Sequence, residues 1–562
     1  MNPSSFWQGR ERYTVFDTRY GDGSRVAGLV EAWRRDPARP ARLHIVALAE
    51  GLLPGFHRVP QEDDAVTLDL LCVPLEAALA QLSARIDFAY VHGVQGAGFA
   101  RALARLVASD AVLAADALDA EPVAALAAQG FVFDDDKRGA RFASRKPRQP
   151  LPAVPPRQAI VIGAGLAGCA AAQRLCARGW QVTLVERHPQ AAMEASGNLA
   201  GIFMPLLSKD DNIPTRLTRA AYLYALRYWD SIGGIGRAIE GADCGVMQLA
   251  RDAGHADASR AIAAAGTTPP EFAEWLESPD AEALLGLPAP DGAWLFRQGG
   301  WARPGSVCAA MMAACGDRLT ARFGVGSVTL ERVGDGVDEW LVRALDGAVV
   351  AQAPTVVLAG GAASGAFTQA SCLPLSALRG QVTHLDASTL PSLPYVLCRE
   401  AYLTPATNGL ACAGATYDLD ADPALRAASQ QENIERLQAL VSNPEAGRDA
   451  PLQGRVGFRC VAPDRLPLVG ALPDFDAAGS TERLRDVPRY PGLHGLLGYA
   501  SRGLIWAPLC AELLAARLEN EPLPLEASLV DALDPARFVL RARRIAGRPR
   551  ASDKPFNIAN SR

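Results

Sequence analysis

No stretch of about 18 uninterrupted apolar residues occurs in this chain, so the sequence predicts no membrane-spanning helix. The opening residues, MNPSSFWQGRERY, carry no apolar segment, and no secretory leader is expected. The 11 cysteines never fall into a C-x-x-C pair or other ligand spacing. Without a leader, that pattern predicts reduced thiols in a cytoplasmic protein rather than a disulfide frame. Seven histidines are dispersed, so no metal site is expected. A net charge of −5 excludes a whole-molecule bias toward nucleic acid and leaves local basic patches to supply one. Internal repeats are not visible.

What is there is globular: 49% of residues are hydrophobic and 21% charged, and 562 residues exceed a single core, which predicts two to four domains. The strongest local pattern lies at residues 158–186. An apolar run at 159–162 predicts a buried parallel strand leading into Gly163-Ala-Gly165-Leu-Ala-Gly168. An Ala- and Leu-rich helix follows and stops at Gly179, and a second strand at 181–185 ends on Glu186. Glycines permit a tight turn and close approach of main chain to a pyrophosphate; the helix N-terminus offers N–H groups and the positive end of its dipole. Glu186 stands where an acid accepts from a ribose hydroxyl. Strand, glycines, helix, strand and acid in that order predict dinucleotide binding.

Ahead of this stretch, strands at 13–17, 43–48 and 86–92, a helix through Trp33, and a helix and strand at 103–113 predict a doubly wound α/β domain over residues 1–146. Residues 138–157 hold Arg141, Arg145, Lys146, Arg148 and five prolines, which predicts an extended linker, with 147–157 as the boundary. Beyond it, Ala195-Ser196-Gly197-Asn198 and Gly201 form a small-residue loop open to close approach by a ligand. A helix at 214–232 carries Tyr222, Tyr224, Tyr228 and Trp229 as core. Residues 327–345 alternate as antiparallel strands around Gly334-Asp-Gly336, and the strand at 355–358 closes on Gly360 and Gly361. Further strands are predicted at 380–385, 395–403 and 410–416, and a helix at 430–441. Gly498, Ser501, Arg502 and Gly503 open a long helix at 504–518, a second glycine-flanked N-terminus. A basic tail, 545–562, follows.

Residues 158–544 resemble the FAD-dependent amine oxidases of the glycine oxidase and D-amino-acid oxidase group and, within it, the oxidoreductase domain of the MnmC family. The resemblance rests on SGNLAGIFMPLLSK at 196–209, Cys244-Gly-Val, Gly299-Gly-Trp301, Arg379-Gly-Gln-Val, Tyr402-Leu-Thr-Pro405, Gly457-Phe-Arg459-Cys460, DRLPLVG at 464–470, and Ser501-Arg502-Gly503 through Glu512. Residues 1–146 resemble that family's methyltransferase domain in degraded form. The glycine-rich S-adenosylmethionine turn is reduced to Arg19-Tyr-Gly21-Asp-Gly23, the acid after the second strand is Ala49 with Glu50 one place off, and Val91-His92-Gly93-Val94 replaces a catalytic Asp.

The resemblance implies an α/β chain: a Rossmann-like methyltransferase-type domain, then a two-part FAD-binding Rossmann domain interleaved with an antiparallel-sheet substrate domain. It implies non-covalent FAD, a tRNA with a modified wobble uridine as partner, and oxidative removal of the carboxymethyl group from 5-carboxymethylaminomethyl-uridine. Subsequent methylation from S-adenosylmethionine is expected to be lost. A bifunctional enzyme, or an oxidase of free glycine, sarcosine or D-amino acids, is the alternative. Arg459 is implied as the carboxylate anchor, Arg502 as a second, with the family's other Arg falling on Ser501, and Tyr402 as an orienting group. Gly163, Gly165, Gly168, Glu186, Arg187, Ser196, Gly197, Asn198, Gly201, Gly360, Gly361, Gly498, Ser501 and Gly503 are implied at the cofactor.

Overall fold

The computed structural model describes residues 3–546 apart from 52, 63, 95, 117, 144–150, 335–338 and 480. The central part of the basic linker, the turn at 335–338 and the tail beyond 546 lie outside the described residues. The chain forms two compact units. One comprises Met1–Pro156, Leu226–Ser231 and Glu512–Asp531; the other comprises Arg157–Ala225, Ile232–Ala511 and Ala532–Arg562.

The first unit is built on an eight-stranded sheet. Its central strands, Val66–Cys72, Arg42–Leu48, Arg12–Asp17, Ile86–Val91 and Val107–Ala115, run parallel, with antiparallel strands at both edges. Apolar residues alternate between its faces, as pleating requires. Val15, Ile45 and Phe88 join one core, while Phe16, Val46 and Ala89 join the other. Each fully buried side chain of this size contributes about 1.5–3 kcal/mol. The antiparallel edge strand Gly55–Gln61, missing from the sequence expectation, carries Arg58. That guanidinium is fully buried and donates to both oxygens of Asp69 (2.8 and 2.7 Å), to Glu512 (2.7 Å) and to the Pro522 carbonyl (2.6 Å). Arg12 pairs with Glu519 at 2.7 Å and Arg42 with Glu521 at 2.6 Å. The unit is therefore completed by a segment that arrives from the far end of the chain.

The second unit contains a six-stranded sheet ordered Leu319–Arg322, Gln181–Val185, Gln158–Ile162, Thr355–Leu358, Arg489–Leu497 and Leu468–Pro473. All neighbours are parallel except the last pair. Ile160, Val356, Leu358 and Leu493 are fully buried, as the apolar runs of a doubly covered parallel sheet require. A second, eight-stranded sheet runs from Glu274–Leu276 to Gly454–Val461 and is antiparallel except where Val246–Leu249 meets Val396–Cys398. One of its faces packs Leu385, Leu397, Leu403 and Ala411 against Leu437 and Leu440 of the helix Ala427–Val441. The strand expected at 395–403 is two strands, Val396–Cys398 and Tyr402–Leu403, paired antiparallel about a turn closed by the Arg399 N–H donating to the Ala401 carbonyl (2.8 Å). Tyr222, Tyr224, Tyr228 and Trp229 are all buried, as expected of core.

Candidate active site

Parallel strands place their carboxyl ends on one edge, and ligands of such sheets lie there. In the second unit that edge is formed by Gly163, Glu186, Gly360 with Gly361, and Gly498, each next after or close behind its strand. Gly163 has φ of +105°, and a Cβ there would stand 2.8 Å from the Ala359 carbonyl; a Cβ on Gly168 would run into the Gly163 carbonyl. The loop can be this tight only with bare main chain. Gly165 precedes the helix Leu166–Cys176 and gives it no side-chain cap; Ser196 Oγ accepts from Leu166 N at 3.1 Å. The remaining N–H groups of the first turn meet whatever lies in front of the edge. Glu186 is buried and accepts from Ala164 N (2.7 Å) and His188 N (3.0 Å), leaving each oxygen a further lone pair. Gly503 opens the helix Gly503–Leu518, within 3.2 Å, at its would-be Cβ, of Leu166. Gly201 begins the short strand Gly201–Phe203, and Asn198 closes the turn Ala195–Gly197. Arg187 and Ser501 are exposed, Arg187 being paired with Glu194.

The sheet face opposite the Leu437 helix supplies the other wall. Registers Leu378↔Arg459, Gly380↔Gly457 and Val382↔Arg455, with Val382↔Gly414, Tyr402↔Gly414 and Cys398↔Tyr402, put Arg455, Gly457, Arg459, Tyr402 and Cys398 on one face. A Cβ on Gly457 would lie 3.5 Å from Ala195, so this face meets the Ser196 loop. Arg459 lies across Gly380, where any Cβ would strike the guanidinium. Its Nη1 donates to the Thr416 carbonyl (3.3 Å) and its Cζ stands 4.6 Å from the Tyr417 ring centre. No carboxylate pairs with Arg459 or with Arg502 among the described residues. Burial pulls the Arg502 pKa down, with Tyr417 and Cys398 acting the other way. Burial pushes the Tyr402 hydroxyl well up, so it stays a neutral donor. The structure thus gathers Arg459, Arg502 and Tyr402 around one spot.

Two residues here escaped the sequence reading. Arg455 donates to the carbonyls of Met193 and Glu194 (2.8 Å to the latter), fastening the loop that carries Ser196; a Cβ on Gly197 would collide with it. Tyr417 covers Arg459. The alternation Arg455, Gly457, Arg459 on a strand was the available signal for the first; nothing local marks the second. A cleft of about 630 Å³, lined by Cys244, Trp301, Pro394 and Pro405 among others, includes motif residues of the family resemblance but none of the residues implied at the cofactor or the substrate. Among the described residues no cluster of His, Cys, Asp or Glu could hold a metal ion, and no helix is long and apolar enough to cross a membrane.

The first unit has a corresponding crevice, at the switch point where Arg12–Asp17 lies between Arg42–Leu48 and Ile86–Val91. Its own side chains occupy it. Asp17 accepts from Arg19 N (3.0 Å) and lies 3.5 Å from Arg25 and 3.4 Å from His92; His92 Nδ1 meets Asp116 at 2.6 Å; Arg25 stacks 4.5 Å over Tyr90. Burial pushes the Asp17 carboxyl up.

A glycine-lined carboxyl edge with a buried acid behind its second strand fits a dinucleotide cofactor, and residues 158–517 match the FAD dependent oxidoreductase family DAO, to which this chain belongs. Glycine oxidase from Geobacillus kaustophilus shares the fold with a TM-score of 0.55 at 20% identity, over 67% of this chain and 98% of that one. Iminodiacetate oxidase from Chelativorans sp. BNC1 does so at 0.53 and 23%, over 65% and 96%. At the level of the whole chain, the tRNA 5-methylaminomethyl-2-thiouridine biosynthesis bifunctional protein MnmC of Azoarcus sp. strain BH72 is 39% identical over 96% of this chain and 92% of its own length. MnmC of Burkholderia thailandensis is equally similar over the same shares. The chain is a member of the MnmC family and an FAD-dependent oxidoreductase.

Proposed function

We propose that this enzyme oxidatively removes the carboxymethyl group from 5-carboxymethylaminomethyl-uridine, with or without a 2-thio group, at the wobble position of tRNA in the cytoplasm. The observation that carries this reading is the pair of guanidinium groups, Arg459 and Arg502, held without an acid beside Tyr402 and Tyr417. A partly buried cation without a carboxylate is costly unless an anionic ligand completes it.

Gly163, Gly165, Gly168, Glu186, Arg187, Ser196, Gly197, Asn198, Gly201, Gly360, Gly361, Gly498, Ser501 and Gly503 would hold FAD. The main-chain cradle fits a pyrophosphate, and the buried Glu186 fits a ribose. When bound, FAD supplies the two-electron acceptor. Arg459 grips the glycine carboxylate of the substrate, and a charge-assisted bond of this kind contributes about 1.5–3 kcal/mol. Arg502 adds a second cation, and Tyr402 donates to the carboxylate or orients the neutral amine. Oxidation at the glycine carbon followed by hydrolysis yields glyoxylate and 5-aminomethyl-uridine.

Residues 1–146 serve as a methyltransferase-like domain without methyl transfer. S-adenosylmethionine carries a cationic sulfonium, and Arg25 sits in the crevice where its binding would require acid left over. Residues 147–157 act as linker, 158–544 as the oxidoreductase and 545–562 as a basic tail. The test is anaerobic mixing of flavin-loaded protein with tRNA bearing 5-carboxymethylaminomethyl-uridine. Loss of the visible flavin absorbance is expected. Retained colour with this tRNA, alongside bleaching by free glycine, would replace the reading with an amino-acid oxidase.

A further inference from the structure

Two helices of the second unit that pack against each other carry four cysteines in matching register. Cys169 and Cys176 stand two turns apart on Leu166–Cys176, the helix that starts at the glycine turn. Cys308 stands on the helix Pro304–Ala313, and Cys315 lies two turns on, just past its end. Two turns return a side chain to the same helix face, so sulfur meets sulfur twice. Cys169 is hydrogen-bonded to Cys308, and Cys176 to Cys315. All four are free thiols.

The two contacts differ in their surroundings. Cys169 and Cys308 are fully buried, and Cys169 Sγ donates to the Ala164 carbonyl in the glycine turn at 3.5 Å. The Cys308 contact, burial and the nearby Glu186 all push the Cys169 thiol up. Cys176 and Cys315 are also buried, but they sit where their helices end and their chain neighbours reach water: Ala177, Ala314 and Gly316 are exposed. The Cys315 contact pulls the Cys176 thiol down, with Arg318 acting the same way and burial against it. Cys315 is itself pushed up and donates to the Met311 carbonyl at 3.3 Å. One sulfur of this contact is thus the more acidic, and its neighbour is a protonated thiol within reach, the division of labour between an attacking and a resolving cysteine.

We propose that Cys176 and Cys315 are a peroxide-responsive thiol pair that closes to a disulfide while Cys169 and Cys308 stay reduced. The Cys176 thiolate attacks the O–O bond of hydrogen peroxide, takes one oxygen as a sulfenic acid, and hydroxide leaves. The Cys315 sulfur then attacks the Cys176 sulfur; the S–O bond breaks, the S–S bond forms, and a second hydroxide leaves. With the two thiol protons these hydroxides become water, so the two electrons given up by the thiols reduce the peroxide. The new bond ties the ends of the two helices just ahead of the strands Gln181–Val185 and Leu319–Arg322, which pair with each other. A dithiol reopens it by exchange. The pair acts in this way whichever substrate reduces the flavin.

The experiment treats the reduced, flavin-loaded, full-length protein with a few equivalents of hydrogen peroxide, quenches in acid, alkylates the remaining thiols and maps the peptides by mass spectrometry. A Cys176–Cys315 disulfide peptide is expected, forming about tenfold faster than any Cys169–Cys308 link and lost again under dithiothreitol. Cys315→Ser is expected to leave Cys176 as a sulfenic acid that dimedone labels. Cys176 and Cys315 both still alkylated, whether or not the exposed Cys372 is oxidised, would overturn the proposal. Oxidised Cys176 that never links to Cys315, or equal or faster linkage of Cys169 to Cys308, would overturn it as well. The wild-type map needs no substitution, so it decides by itself if the serine variant does not fold.

Discussion

At the switch point of the first unit, Arg25 has Asp17 within 3.5 Å, and His92 stands between Asp17 and Asp116. In the second, Arg502 behind the carboxyl edge and Arg459 on the antiparallel sheet that forms the other wall have no carboxylate among the described residues, and Arg459 meets only a carbonyl and an aromatic face. Both sites include strand ends of a parallel sheet, the place where such folds bind ligands. The difference teaches that position in the fold is not enough. A crevice whose charges satisfy one another has no electrostatic demand left for a ligand, whereas one whose cations lack acids has a demand that only a ligand meets. Removing a cation should therefore cost stability in the first unit and chemistry in the second.

The largest effect is expected at Arg58. Arg58→Met removes the guanidinium that both oxygens of the buried Asp69 accept from, and breaking a buried pair in this way costs about 3–5 kcal/mol. Chemical denaturation should show that loss, with the flavin site of surviving folded protein still reducible. A variant as stable as the wild type would break the comparison. Next comes Asp87, whose carboxyl is pushed up to about 6 from 3.8 by burial, against the Thr14 N–H and Arg10. Folding favours its neutral form, so its contribution is full below about pH 4 and is lost as pH rises through 6. The rise of roughly 2 units is worth about 3 kcal/mol. Asp87→Asn should gain on the wild type in thermal unfolding midpoint between pH 4.5 and 7.5; a constant gap would contradict the burial argument.

In the second unit, Arg459→Met should leave a yellow, equally stable protein whose reduction by modified tRNA is slowed at least tenfold, the worth of one charge-assisted bond. Unchanged reduction removes Arg459 from the site. The smallest effect is expected for Tyr402→Phe, about threefold to tenfold, the loss of one neutral hydrogen bond. A larger loss than that of Arg459→Met would reverse their assigned ranks.

The legibility of the chain follows the same division. Residues 158–186 were readable because every element of that turn is local: the apolar strand, the glycines, the helix and Glu186 lie in one short stretch. Arg459 and Tyr402 were readable through family resemblance, and the registers then put them on one face. The edge strand Gly55–Gln61 and its partner Val66–Cys72 were not, because Arg58 and Asp69 give a polar pattern to buried positions. The carboxylate that makes Arg58 tolerable, Glu512, is 454 residues away in sequence. The break between Val396–Cys398 and Tyr402–Leu403 was hidden because a tight turn of three residues hardly interrupts an apolar run. Tyr417 was invisible for a similar reason: its meaning comes from Arg459, on a strand brought beside it only by the fold.

The most direct measurement gives the flavin-loaded protein tRNA bearing 5-carboxymethylaminomethyl-uridine together with excess S-adenosylmethionine, then digests the tRNA and identifies the wobble nucleoside. The account predicts 5-aminomethyl-uridine as the end product, with glyoxylate released in equal amount and no methylated nucleoside. Accumulation of 5-methylaminomethyl-uridine would show that the crevice at Asp17 and His92 is open after all, and would contradict the contrast on which the account stands.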